Sequence, residues 1–211
     1  MLFESIKKNE ILIYDNLLNS EEIKSIKENI FDPHFPWYLI QTKDEYDKFY
    51  SVDMNTYKKA SKIKDVREYT KFVHTFLFNK TMSNKFSIAE TIIRRIINFF
   101  NIKNIKVTRI KTNLQTNNVL ISKNHHTSPH VDLDVKHMVG IYYVNDCDGD
   151  TIFYNKCEND SLMDVEEWKR ESPKKGDFVV FDGSIYHSPC CPVENRGRFT
   201  LNFDCKALDT K

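Results

Sequence analysis

His130-Val131-Asp132 offers an imidazole and a carboxylate two positions apart, and a second imidazole, His187, follows much later in the chain. In an extended segment, residues i and i+2 project to the same side. His130 and Asp132 can therefore reach one ion from a single strand edge, with Val131 turned into the core. Two neutral imidazoles and a carboxylate can hold a divalent metal on one face and leave the opposite face open. That donor set suits Fe(II), and also Zn(II) or Mn(II). Arg198, a short way past His187, is a cation that could bind an anionic co-substrate beside the metal.

Other polar clusters compete for attention. His125 and His126 fall in a polar loop and His137 opens a strand, and none has an acidic residue two positions later. These three read as loop or surface groups. Asp146, Asp148 and Asp150 resemble the start of a calcium loop, but its twelfth position is Cys157 rather than Glu. A tight hairpin turn is the better reading there.

The elements that must position the triad follow from periodicity. Ile11–Tyr14 is a short apolar strand. Asn19 with Glu22 can cap a helix that presents Ile23, Ile26 and Ile30 on one face. Val66, Tyr69, Phe72, Val73, Phe76 and Leu77 are spaced as a second helical stripe. Ser87 and Glu90 form a capping box for a third helix, with Ile88, Ile92, Ile93, Ile96 and Ile97 along one side. Past Phe100 the pattern shortens to strands at Ile105–Leu114, Val119–Ser122, His137–Asn145, Thr151–Tyr154, Phe178–Phe181 and Arg198–Phe203. All five glycines lie in this half, supplying its turns. Many short strands point to an α+β protein with a sandwich or jelly roll and the early helices packed outside it. With no repeat and no dividing linker, residues 1–211 read as one domain: a mostly helical extension over 1–103 and a core over 104–205.

Composition narrows the class. Hydrophobic residues make up 40% and charged residues 29%, a globular balance. The 31 basic and 30 acidic residues leave a net charge of +1, so nothing points to nucleic acid or an anionic membrane as partner. No segment approaches the roughly 18 apolar residues of a membrane span, and Met1–Glu10 lacks the apolar stretch of a secretory signal. The cysteines Cys147, Cys157, Cys190, Cys191 and Cys205 are odd in number and contain no C-x-x-C, which fits reduced thiols and a cytoplasmic location.

A family resemblance emerges from an ordered set of short pieces. They are Pro129-His130-Val131-Asp132, Ile141-Tyr142-Tyr143-Val144-Asn145, Asp148-Gly149-Asp150-Thr151-Ile152-Phe153, and Pro173-Lys174-Lys175-Gly176-Asp177 leading to Phe181-Asp182-Gly183. His187-Ser188 and Arg198-Phe199-Thr200-Leu201-Asn202-Phe203 complete it. In this order, over roughly residues 105 to 205, they resemble the Fe(II)- and 2-oxoglutarate-dependent dioxygenases of the prolyl-4-hydroxylase-like group. Asp15-Asn16-Leu17-Leu18 and Phe35-Pro36-Trp37-Tyr38 are similar to small oxygenases of phages and bacteria, which would put a phage-encoded copy in host cytoplasm.

The resemblance implies a double-stranded β-helix core with Fe(II) held by His130, Asp132 and His187. It implies 2-oxoglutarate as co-substrate, its distal carboxylate bound by Arg198, with Tyr143, Thr200 and Asn113 adding polar contacts. Arg196 is a rival for Arg198, but it precedes Gly197 in a turn, whereas Arg198 opens an apolar strand. The implied reaction is oxidative decarboxylation to succinate and carbon dioxide coupled to hydroxylation, with ascorbate as reductant. The Gly or Ala of related halogenases is replaced here by Asp132, which disfavours chlorination. Peptidyl proline is the default substrate; other peptides and small molecules remain open. Phe35–Tyr38 and Tyr46–Tyr57 are aromatic enough for a lid or a substrate wall, and equally for core covering. Two other classes compete: a catalytically silent jelly-roll binding module, and a zinc hydrolase using the same triad.

Overall fold

The computed structural model describes residues 10–40, 71–102, 105–117, 124–157 and 165–207. Within these, every paired strand is antiparallel. In chain order the elements are β1 (Ile11–Tyr14), α1 (Ser20–Ile30), β2 (Tyr38–Ile40), β3 (Lys71–Phe78), β4 (Thr81–Met82) and α2 (Phe86–Phe99). Then come β5 (Ile105–Thr116), β6 (Met138–Tyr143), β7 (Thr151–Cys157), β8 (Glu167–Glu171), β9 (Phe178–Asp182), β10 (Ile185–Pro189) and β11 (Gly197–Ala207). The larger sheet runs β1-β9-β6-β11-β5-β3-β2, with β4 joined to β3. The smaller runs β10-β7-β8, and residues 126–130 lie antiparallel beside β10 through the pairs His126–Cys190 and His130–His187.

Helix α1 starts where expected. Asn19 accepts a hydrogen bond from the Glu22 amide at 2.9 Å, and the Glu22 carboxylate accepts the Asn19 amide at 3.0 Å. That box satisfies two amides that a helix start leaves open. Glu22 also pairs with Arg95 of α2 at 2.8 Å, tying the two helices together. The box expected from Ser87 and Glu90 does not form. α2 begins at Phe86, two residues before the start that a Ser87 cap would give, with no side-chain cap, and Glu90 pairs with Arg94 instead. The apolar stripe of α2 still packs as its spacing requires, burying Ile88, Ile92 and Ile96.

The second helical stripe is a correction. Val66 and Tyr69 lie outside the described residues, and Phe72, Val73, Phe76 and Leu77 belong to strand β3. A bulge between Thr75 and Leu77 breaks strict alternation there, so the apolar positions mimic a longer period. The strand expected at Val119–Ser122 and the segment Tyr46–Tyr57 also lie outside the described residues. β2, β4, β8 and β10 were not anticipated.

The larger sheet has two buried faces. One carries Ile110, Tyr142, Phe178, Val180, Leu201 and Phe203 against α1 and α2. The other carries Val139, Ile141, Tyr143, Val179 and Phe181 against Phe153 and Ile185 of the smaller sheet. Gly140 is needed on the helix side, where a Cβ would stand 2.5 Å from the Phe178 ring. Phe35 is buried in the helix-side core with Trp37 packed on it, while Tyr38 projects outward at 62% exposure. No described helix is long and apolar enough to cross a membrane.

Candidate metal centre and adjoining cavity

His130 and Asp132 do not share a regular strand. His130 makes the last bridge beside β10, and Asp132 follows in a bend. The bridge is reciprocal: each of His130 and His187 donates its amide to the other's carbonyl at 3.0 Å. This pairing sets the two imidazoles side by side, with ring centroids 4.7 Å apart. The bend turns the Asp132 carboxylate toward them, and one ligand atom from each of the three residues lies within 4.8 Å of the others.

The ring orientations fit metal binding. Nδ1 of His130 lies 3.0 Å from the Ser128 carbonyl, and Nδ1 of His187 lies 3.2 Å from that of Ile185. A carbonyl can only accept, so both Nδ1 atoms carry the proton and both Nε2 lone pairs are left for a cation. Desolvation, reinforced by the nearby His187, lowers the pKa of His130 to about 3, so it is neutral at pH 7.

Asp132 is anchored through one oxygen. Its Oδ1 accepts from Arg109 Nη2 at 2.6 Å and lies 3.4 Å from Lys111 Nζ. Oδ2 is buried without a hydrogen-bond partner, 3.3 Å from His187 Nε2. Burial alone would raise the pKa of this carboxyl, but Lys111 and Arg109 hold it well below its ordinary value. Arg109 donates in turn to Asp204 through Nε at 2.5 Å. A buried anionic oxygen with no donor, facing two imidazole lone pairs, is costly unless a cation completes it. The residues present therefore fit a divalent metal.

A cavity of about 40 Å³ adjoins the triad, lined by Lys111, Asn113, Gln115, Thr200, Arg198 and Thr151 among others. Its wall is a polar stripe produced by strand alternation. Arg109, Lys111, Asn113 and Gln115 of β5 stand opposite Asp204, Asn202, Thr200 and Arg198 of β11. Arg198 is buried at 4% exposure. Its Nε donates to the Gly149 carbonyl at 2.7 Å, Nη1 to Gln115 at 3.1 Å and Nη2 to the Thr151 hydroxyl at 2.6 Å. All three acceptors are neutral, so no carboxylate among these partners compensates the charge. The guanidinium also lies 5.6 Å from the Tyr143 ring centroid, and the Tyr143 hydroxyl is 2.7 Å from Thr151 Oγ1. Gly149 makes room for the arginine stem, since a Cβ there would meet Arg198 Cδ at 3.1 Å.

Arg196 is exposed in the turn before β11. Asn113 and Thr200 line the cavity and are tied together through Asn202, which accepts from both at 3.0 and 3.1 Å. His126 and His137 lie outside the named strands, as loop groups do, but both are buried rather than at the surface. His126 contacts the Tyr154 hydroxyl at 3.1 Å and that of Ser188 at 3.3 Å, while His137 lies against Gly183. Asp148 binds the amides of Val193, Glu194 and Asn195, as an acidic turn residue does. The sequence reading missed Arg109, Lys111, Gln115, Thr151, Asn202 and Asp204. Five of these carry a signal, the alternation of polar and apolar residues over Arg109–Gln115, broken at Thr112, and over Arg198–Asp204, which reads equally well as a solvated face.

No protein-family model matches the sequence, and no curated protein matches it. Solved structures do match in fold. AviO1 from Streptomyces viridochromogenes superposes with a TM-score of 0.60 at 11% identity, covering 99% of this chain and 95% of that one. The non-haem, α-ketoglutarate-dependent epimerase SnoN of nogalamycin biosynthesis gives 0.59 at 10% identity, covering 93% and 77%. A prolyl hydroxylase from Trichoplax adhaerens, solved with a hypoxia-inducible-factor peptide, gives 0.55 at 14% identity, covering 97% and 87%.

Proposed function

We propose that this chain is an Fe(II)- and 2-oxoglutarate-dependent oxygenase that hydroxylates its substrate, built as one domain around a jelly-roll core. The observation that carries this reading is the unpartnered Asp132 Oδ2 facing the two imidazoles, with the buried Arg198 lining the adjoining cavity. The fold likeness to SnoN and to a prolyl hydroxylase supports it. His130, Asp132 and His187 hold the metal, and Arg198 binds the distal carboxylate of 2-oxoglutarate. Iron bound there would supply oxygen activation coupled to decarboxylation of the co-substrate, yielding succinate and carbon dioxide.

The protein's share is orientation and exclusion of water. Arg109 fixes Oδ1 of Asp132, so the carboxylate offers one oxygen to the metal and leaves coordination positions for reactants. Gln115, Gly149 and Thr151 hold the Arg198 fork in place before a ligand arrives, which lowers the ordering cost of binding. Tyr143 and Thr151 put hydroxyls beside the same carboxylate, with Thr200 and Asn113 along its path. A zinc hydrolase would use the same triad but gives Arg198 no task.

The test is succinate release from purified protein given Fe(II), ascorbate, 2-oxoglutarate and candidate substrates. Prolyl peptides are the first to try, given the likeness to a prolyl hydroxylase. Turnover dependent on both Fe(II) and 2-oxoglutarate is expected. Absence of 2-oxoglutarate binding to the Mn(II)-loaded protein would overturn the reading.

A further inference from the structure

Asp204 is buried more completely than any member of the triad, yet it supplies no ligand atom to it. A buried carboxylate is costly unless donors hold it. Arg109 is such a donor, through Nε at 2.5 Å to Asp204 Oδ2, and among the described residues Asp204 Oδ1 has no hydrogen-bond partner. The effect of this contact is to divide a guanidinium. Nε and Nη2 of an arginine are neighbouring donors that commonly grip both oxygens of one carboxylate. In Arg109 two carboxylates share them. Nε goes to Asp204, while Nη2 goes to Asp132 Oδ1 at 2.6 Å and lies 3.4 Å from the Asp132 carbonyl. Asp132 Oδ2 is left facing the imidazoles, 3.3 Å from His187 Nε2.

The anchoring runs from Asp204 toward the metal centre. Asp204 stands opposite Arg109 in the β5–β11 register, on a strand paired along both edges, by β5 and by β6. Asp132 lies in a bend outside the strands, so it is the partner able to turn. Were Nε released, the fork would close on both oxygens of Asp132, a stronger arrangement than a single contact. Oδ2 would then be engaged by Arg109 instead of by a cation. We propose that Asp204 is a positioning residue: by occupying Nε of Arg109, it keeps Asp132 Oδ2 open to the metal while Oδ1 stays closed to it. This rests on the metal-centre part of the oxygenase reading. It extends that reading from the ligands to the residue that sets how many oxygens Asp132 gives.

The experiment titrates the full chain with Mn(II) and reads two quantities by electron paramagnetic resonance: the affinity, and the exchangeable waters on the bound ion, compared in H2O and D2O. Urea unfolding checks that each variant folds. Asp204→Ala should weaken Mn(II) about tenfold or more, the size of one charged contact. The ion that still binds should carry one more water than in wild type, because Oδ2 has been withdrawn. Asp204→Asn keeps the shape and a carbonyl for Nε, so its affinity should stay within about threefold of wild type, with the same waters. Simple loss of a buried charge would weaken both variants alike. Replacing the pair by apolar residues, Asp204→Leu with Arg109→Met, is a change that folds commonly tolerate. It releases both oxygens of Asp132, so bound Mn(II) should carry one water fewer than in wild type. The role of Asp204 is overturned if Asp204→Ala binds Mn(II) like wild type, if Asp204→Asn loses as much as tenfold, or if the paired variant keeps the wild-type waters. Each result suffices alone, so one variant that does not fold leaves the others to decide. If these shifts appear while 2-oxoglutarate does not bind, the oxygenase reading falls and the role of Asp204 stands. If wild type takes up no Mn(II), both fall.

Discussion

At the scale of single residues, the site separates the work of Arg198 from that of the triad. Arg198 touches none of the three candidate ligands; its partners are Gly149, Gln115 and Thr151. Arg198→Ala should therefore weaken 2-oxoglutarate by about tenfold to a hundredfold, the loss of a charged hydrogen-bonded contact. Mn(II) affinity, read by electron paramagnetic resonance, should change less than threefold; equal loss of both would contradict the assignment. That His130, Asp132 and His187 come together was legible in the sequence, because an isolated His-x-Asp says little but its place in an ordered set of family-like pieces says more. Their buried supports were not. Arg109, Lys111 and Asp204 sit every other position along their strands among threonine and apolar neighbours, as surface residues do, and only the register of β5 against β11 turns them inward to meet. Pairing between distant strands is a property of the folded sheet, with no local trace in either strand.

At the scale of elements, the turn between β9 and β10 decides where His187 stands. Gly183 lies in it, and a Cβ there would come within 2.3 Å of the buried His137 ring. That ring is fixed in turn, its Nδ1 bonded to the Val135 carbonyl at 2.6 Å. Gly183→Ala should cost about 1–3 kcal/mol through overpacking and should also weaken Mn(II), because His187 follows on the same hairpin. Urea unfolding and metal titration read the two effects, and a variant unchanged in both would refute this role. α1 was readable from Asn19 and Glu22 because its cap is made of neighbours in sequence. β3 was misread because its bulge and its aromatic and apolar residues imitate helical spacing, and the partner that decides the matter, β5, lies beyond any local window.

At the scale of the molecule, the buried imidazoles link folding to pH. Desolvation lowers the pKa of His130 from 6.5 to about 3, and it lowers that of His74 as well. Below pH 6.5 an unfolded chain takes up protons that the folded one refuses, so stability falls as pH drops from about 6.5 toward 3. Asp132, held low, adds to the loss in the carboxylate range, while Asp204, pushed up by burial and by Asp132, offsets part of it. The urea midpoint of the metal-free protein should decline between pH 7.5 and pH 5; a flat or rising midpoint would contradict this. One feature of the sheet reaches further. β11 carries Arg198, Thr200 and Asp204 on the face toward the cavity, and Leu201, Phe203 and Cys205 on the face toward the helices. A ligand gripped by Arg198 is thereby bonded to a strand at the heart of the fold, and any twist of that strand to suit a different ligand disturbs the packing behind it. A substitution on β11 that re-aims Arg198 should therefore be felt twice, in the grip on a ligand and in the seating of the helices, whereas a change on the cavity's other walls meets only the first.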